Sequence, residues 1–188
     1  MSDISFTSVL KPVTSSKFSK ITASFSQDGF VDYPWTISSS RIKPNVYTNH
    51  ICDCSVCLIT DGKKGLLMHL LPSYSGNHDE KRIFDFIDHN FNLENNNHLQ
   101  AVLLGSHPYK SSQNIFNYFK KILDKFKIPT TVLKTGNSPT DIAYKTAKDE
   151  IYISNKEITD ALREGKNNLE ALNLGFKEVA ISPCDEVI

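Results

Sequence analysis

Apolar positions along the chain fall into two rhythms, each predicting a kind of element. Over Asp79–Phe91, the residues Ile83, Phe84, Ile87 and Phe91 recur at i, i+1, i+4 and i+8, the stripe of an amphipathic helix that Asn95-Asn96-Asn97 then breaks. A second stripe, Ile115, Phe116, Phe119, Ile122, Leu123 and Phe126, predicts a helix over about Ser112–Lys127, with Ser111 or Ser112 as N-cap and Pro129 as stop. Short apolar runs predict strands at Val46–Ile51, Ser55–Thr60, Lys64–Leu71, Leu99–Leu104, Thr130–Leu133 and Phe176–Ile181. Lys64–Leu71 is apolar on both faces, which places it inside a core rather than at an edge. Asp141–Lys145 and Glu150–Ile153 read as a hairpin around Ala147-Lys148-Asp149. Lys156–Arg163 and Asn168–Leu174 read as helices ended by Gly165 and Gly175. Residues 1–45 are Ser-rich and punctuated by Pro12, Pro34 and Pro44. They predict short strands and loops, with strand-sized pieces at Ile21–Phe25 and Phe30–Ile37 and a mobile first dozen residues.

This order of elements predicts a mixed α/β (α+β) fold, a largely antiparallel or mixed sheet or sandwich core flanked by helices. A length of 188 residues suits one domain: N-terminal strands and loops over 1–45, a core over 46–153, and C-terminal helices and a strand over 154–188. Such a chain buries enough surface to fold without a disulfide or a metal. Lys plus Arg and Asp plus Glu are balanced at 21 each, which argues against a nucleic-acid partner. No apolar run reaches the roughly 18 residues of a membrane span. The opening MSDISFTSVLKPVTSSKF has no basic start and apolar core of a secretory signal. Nothing in the pattern specifies an oligomeric state.

Chemistry concentrates in VYTNHICDCSVCLITDGKKGLLMHLLP, Val46 to Pro72, which holds three of the four cysteines. Three thiols in one short run with a distant Cys184 make a poor disulfide framework, so reduced thiols in a cytosol are expected, that of the producing cell or of an invaded host. Asp61-Gly62 between apolar runs signals a hairpin. If those two residues are the whole loop, Thr60 faces Lys63, Cys57 faces Leu66, and Cys54 faces His69. Opposed side chains lie about 4.5–5.5 Å apart at Cβ, within reach of a thiol and an imidazole. A four-residue loop, Asp61–Lys64, would instead place Val56 opposite His69.

In the two-residue register Cys57 faces the core as a small hydrophobe. Cys52 shares the Cys54 face and would serve as structure or as a resolving thiol. A neighbouring imidazole that exchanges the thiol proton makes Cys54 a candidate nucleophile and His69 its base. Cys52, Cys54, Cys57 and His69 also have the stoichiometry of a zinc site. One extended strand, however, divides such ligands between two faces, and there is no second Cys-x₂-Cys.

The segment TNHICDCSVCLITDGKKGLLMHLLPS resembles the core of the CheD-type chemoreceptor glutamine deamidases, whose catalytic core is shared with the cytotoxic necrotizing factor-type toxins. In that superfamily a Thr lies six residues before the Cys and a His follows one hairpin later. Here Thr48 precedes Cys54 by six, and His69 follows it. LQAVLLGSHPYKSSQNIFNYFKKILDKFKIPTTVLKTG is similar to the family's strand, turn, helix and Ile-Pro strand, extending the likeness over about Val46–Ile153. Gly105-Ser106-His107 stands where the family has a double-Gly turn, and Cys-x₂-Cys replaces Cys-x₃-Cys.

The resemblance implies a CheD-like fold with Cys54 as nucleophile, His69 as general base and acid, and Thr48 as the group that orients the imidazole. The implied reaction turns a glutamine side chain of a partner protein into glutamate without cofactor or metal, in an effector or toxin or in a housekeeping modifier. Another thiol hydrolysis or transamidation, and a non-catalytic zinc-binding or interaction domain, are the competing readings. Ser106 and His107 are second candidates for the rim, and His50 is expected to be solvated.

Overall fold

The computed structural model describes residues 9–25, 29–32, 36–39, 45–73, 77–94, 98–107, 109–136 and 138–182. Among the described residues, ten strands and five α-helices follow one another as β1 (Val9–Pro12), α1 (Ser15–Thr22), β2 (Thr36–Ser39), β3 (Asn45–Ile51), β4 (Ser55–Thr60), β5 (Gly65–Leu70), α2 (Asn77–Phe91), β6 (Gln100–Gly105), α3 (Lys110–Lys125), β7 (Thr130–Thr135), β8 (Thr140–Lys145), β9 (Glu150–Ser154), α4 (Lys156–Arg163), α5 (Asn168–Gly175) and β10 (Phe176–Ser182). They build two mixed sheets, β1-β9-β8-β3 and β10-β7-β6-β4-β5-β2. Pairing is antiparallel except for β1 with β9 and β6 with β7. The expected α+β fold with a largely antiparallel, sandwich-like core is what the chain forms.

The stripes read from the sequence explain the layers. Ile83, Ile87 and Phe91 of α2 and Ile115, Phe116 and Phe119 of α3 pack on the face of the larger sheet that carries Cys57, Ile59, Met68 and Leu103. The alternating residues Val56, Leu58, Leu67, Val102 and Leu104 fill the other face, against Val46, Ile142, Tyr144, Ile151 and Ile153 of the smaller sheet. Covered on both sides, β4, β5 and β6 are buried at every position, which is why their sequences read as unbroken apolar runs. The Tyr144 hydroxyl clasps the two sheets together: it donates to Asp149 Oδ1 at 3.0 Å and lies 2.8 Å from Thr60 Oγ1. Among the described residues no helix is long and apolar enough to cross a membrane.

The N-terminal expectations fail in part. Ile21–Phe25 is no strand but the end of α1 and its turn, because Thr14 caps a helix by accepting from the Lys17 N–H at 3.3 Å. Phe18, Ile21 and Phe25 then cover the outer face of the smaller sheet at Ala143 and Tyr152. The first dozen residues are not uniformly loose, since Val9–Pro12 pairs in parallel with β9; residues 1–8 lie outside the described residues. Pro12 is tolerated there because β1 is an edge strand. The α3 helix begins at Lys110 with Tyr109 in the N-cap position and no side-chain cap, so Ser112 is inside the first turn and buried.

The C-terminal helices close the space between the sheets with Ile158, Ala161, Ala171 and Leu172. Asn167 and Glu170 form a reciprocal capping box at the start of α5. The contact of α5 with α4 is made at Gly175, where an added Cβ would lie 2.4 Å from Ile158 Cγ1 and 2.9 Å from its Cδ1. Ile158 is fully buried and has no free direction to retreat. Gly175→Ala is expected to lower the stability by about 1–3 kcal/mol, read as a fall in the urea midpoint at unchanged slope.

Candidate active site

The loop between β4 and β5 decides the hairpin register. Asp61 Oδ1 accepts the N–H groups of both Lys63 and Lys64 at 2.8 Å, and Thr60 Oγ1 accepts that of Gly62 at 2.9 Å. Gly62 takes a φ of 80°, the left-handed conformation glycine adopts without steric strain. These side-chain bonds stabilise a four-residue loop, Asp61–Lys64, rather than a two-residue turn. The ladder therefore pairs Thr60 with Gly65, Cys57 with Met68, Val56 with His69 and Ser55 with Leu70. The expected oppositions of Cys54 to His69 and of Cys57 to Leu66 are both corrected, and the longer-loop alternative holds.

The correction moves Cys54 by two residues and so leaves it on the same face. Ser55 and Gly105 turn toward α3: a Cβ on Gly105 would meet Ser55 Oγ at 2.8 Å and Phe116 Cδ2 at 3.2 Å. Continued alternation would turn Cys54, buried in the bend just before β4, the other way, toward the space between the sheets where Val56 lies. Continuing the register past Ser55↔Leu70 would set Cys54 diagonal to His69 rather than opposite it, a relation that spans about 7–8 Å between backbones and that a long or aromatic side chain bridges.

Thr48 reaches His69 from the opposite sheet. Its Oγ1 lies 2.7 Å from His69 Nδ1, with both side chains buried. After Thr48 the β3 ladder shifts register; His50 takes a φ of 56° and its N–H is held by Asp141 Oδ1 at 3.0 Å. That bulge carries the chain out of the smaller sheet, through the bend at Cys52–Cys54, and into β4 of the larger one. The six-residue spacing from Thr48 to Cys54 is the length of this crossing. Thr48→Val is expected to lose about 1–3 kcal/mol of stability in urea unfolding, because it withdraws a buried hydroxyl from the imidazole, whereas Thr48→Ser retains most of it.

Burial sets the charge states. It pushes the Cys54 thiol up to about 11, with the Asp53 carboxylate and Cys52 adding to the rise. It lowers the His69 imidazole to about 4, against a smaller opposing pull from the Asp32 carboxylate. Around neutral pH the site holds a thiol and a neutral imidazole. Cys52, half-buried, is raised by burial and then by Asp53.

The β6 end forms the far wall. The β4–β6 ladder ends at Val56↔Leu104; just beyond it the Cys54 carbonyl oxygen lies 3.2 Å from where a Cβ on Gly105 would stand, and His107 Nδ1 lies 3.4 Å from Asp53 Oδ1. The exposed Tyr109 ring packs 4.8 Å from the His107 ring. Ser106 and His107 are therefore brought to the rim as expected. Asp53, Tyr109 and Asp32 are the neighbours that sequence reasoning passed over; only Asp53, between two cysteines, carried a visible signal. The His50 side chain is exposed, as expected, although its backbone is engaged by Asp141.

The cysteines do not converge. Cys57 is fully buried in the helix-side core, on the opposite face from His69, and Cys184 lies outside the described residues. Among the described residues no group of three His, Cys, Asp or Glu side chains is placed to hold a metal ion. A polar groove of about 470 Å³ between Glu80 of α2 and Asn114, Asn117, Tyr118 and Lys121 of α3 includes none of Thr48, Cys54 and His69. Compared with known proteins, the chain matches no family model, and no curated protein matches it.

Proposed function

We propose that this chain is a cysteine-dependent amidohydrolase that converts a glutamine side chain of a partner protein to glutamate, working in a cytosol, with Cys54, His69 and Thr48 as its catalytic trio. The observation that carries the reading is the buried Thr48–His69 bond. The resemblance assigns Thr48 to orienting the imidazole, and residues from two different sheets meet at the distance that role requires. The bond fits the base-competent tautomer in which Nδ1–H donates to Thr48 Oγ1 and Nε2 carries the lone pair.

In the reaction, the Cys54 thiol proton passes to His69 Nε2 as sulfur attacks the amide carbon. The imidazolium returns that proton to the leaving nitrogen, and ammonia departs from a thioester. His69 then takes a proton from water, whose oxygen attacks the thioester, and returns it to the departing thiolate, so that glutamate is released and the free thiol restored. Neutral resting groups suit this order, because the ion pair forms only when the substrate amide has displaced solvent and the charges can stabilise one another. A thiol transferase would use the same first half with an amine in place of water. The zinc reading is disfavoured by the burial of Cys57 away from His69.

The test exposes a cell lysate to the purified chain and maps Gln-to-Glu changes by mass spectrometry, with Cys54→Ala as the comparison. Conversion that appears only with an intact Cys54 supports the reading; equal conversion by both proteins, or none by either, defeats it.

A further inference from the structure

We propose that the backbone N–H of Ser106 is the oxyanion donor of this site, so that the bound substrate is a carbonyl compound, a carboxamide, held by its oxygen. The inference rests on the Cys54 reading above and adds a group that none of the trio supplies.

It follows from how β6 ends. This strand runs between β4 and β7. The Ala101 N–H donates to Pro129 O at 2.9 Å, so odd-numbered residues of β6 turn their backbone groups toward β7 and even-numbered ones toward β4. At the last residue Thr135 Oγ1 donates to Gly105 O at 3.1 Å, which holds that carbonyl on the β7 side. In a trans peptide the N–H points opposite to the C=O. The Ser106 N–H is therefore aimed across the strand, at the end of β4 where Cys54 sits. The ladder that would consume it stops at Val56↔Leu104, and Cys52–Cys54 form a bend before β4.

Two features hold this peptide in place. Gly105 has a φ of 139°, and its missing Cβ leaves room for Ser55 Oγ, Cys54 O and Phe116 Cδ2. Ser106 has a φ of 65°, a conformation that a non-glycine residue keeps only where its surroundings impose it. Ser106 is half-buried, at the edge a substrate can reach. An amide carbon approaching the Cys54 sulfur would then have its base on the β5 side and its oxygen donor on the β6 side.

The direct experiment replaces the Ser106 amide by an ester, by incorporating the corresponding α-hydroxy acid, and follows Cys54 labelling by two reagents. A blocked glutamine analogue with a chloromethyl ketone in place of the side-chain carboxamide adds the sulfur to its carbonyl first, passing the thiol proton to His69, and then loses chloride as the sulfur bonds to the methylene. Iodoacetamide is displaced at a saturated carbon and makes no oxyanion. The ester is expected to slow the ketone about 10²–10³-fold and to leave the iodoacetamide rate unchanged. Gly105→Ala, which must shift the same peptide, is expected to show the same selective loss. Equal ketone rates in parent and ester, or a parallel fall with both reagents, overturn the donor assignment. A parent protein in which neither reagent labels Cys54 defeats the nucleophile reading itself, and the donor with it. The melting temperature checks the fold: the ester should melt as the parent does, since this N–H carries no ladder bond.

Discussion

Cys54→Ala is expected to abolish Gln-to-Glu conversion, by about 10⁴-fold or more, while the protein stays folded. Removing the nucleophile of a thiol or hydroxyl hydrolase leaves only what oriented binding and oxyanion donors supply, which accounts for losses of that order. The fold should survive because Cys54 sits in the bend before β4, outside the ladder, and the substitution removes a single sulfur. Cys57→Ala provides the contrast. Its thiol is enclosed among the α2 and α3 contacts on the other face, so deleting it should lower the urea midpoint, by about 1 kcal/mol, and leave conversion intact. Mass spectrometry of a converted partner and urea unfolding of the two variants measure both effects. A Cys54→Ala protein that converts, or a Cys57→Ala protein that is folded and does not, would reverse the assignment of the thiols.

The second large effect is acid lability. A His69 imidazole in the unfolded chain takes its proton near 6.5, whereas burial holds the folded one down to about 4. Between those values the unfolded state binds more protons, so stability falls as the pH falls from about 6.5 to about 4, and this group adds nothing further below that. The difference corresponds to about 3 kcal/mol over the whole window. Asp141 works in the opposite direction, because burial raises its carboxyl. The raw slope therefore mixes signs, and the comparison with His69→Gln isolates the imidazole. Urea midpoints taken from about pH 7 to about pH 4 should drop more steeply for the parent than for His69→Gln. Parallel curves would show that His69 titrates freely in the folded protein, and its place between the sheets would have to be abandoned.

The same burial bears on mechanism. An imidazole this hard to protonate is a weak base on its own, and a thiol raised to about 11 is a weak acid. The pair becomes productive only if the charges appear together and are met by other groups, which is why Thr48 on one nitrogen and a donor at Ser106 on the developing oxyanion carry weight in the proposed chemistry. Asp53, whose carboxylate raises both nearby thiols, acts against thiolate formation.

Local pattern determined a great deal by itself. The 3.6-residue stripes of α2 and α3 were legible because each helix buries one face on a sheet, and apolar spacing records that directly. The hairpin was legible from Asp61-Gly62, and the helix at Lys156–Arg163 from its spacing and its Gly165 stop. The N-terminal helix was missed because its Thr14 cap and its Phe18, Ile21, Phe25 stripe lie in a Ser-rich stretch that resembles a loop.

Register and partnership were decided only by the folded molecule. Loop length at Asp61 depended on which backbone N–H groups its carboxylate could reach, a choice that a dipeptide signal does not encode. The error was survivable for a physical reason: lengthening the loop from two residues to four slid the pairing by two, an even step, so Cys54 and His69 kept a common face. A slip of one would have parted them. The contact between Thr48 and His69 was beyond any local reading, since β3 and β5 belong to different sheets and only their face-to-face packing brings a hydroxyl to an imidazole. Residue types and spacing thus nominated Thr48, Cys54 and His69. Tertiary packing made the first and last of them partners, because hydrogen bonds between distant strands follow from how sheets stack and leave no trace in neighbouring residues.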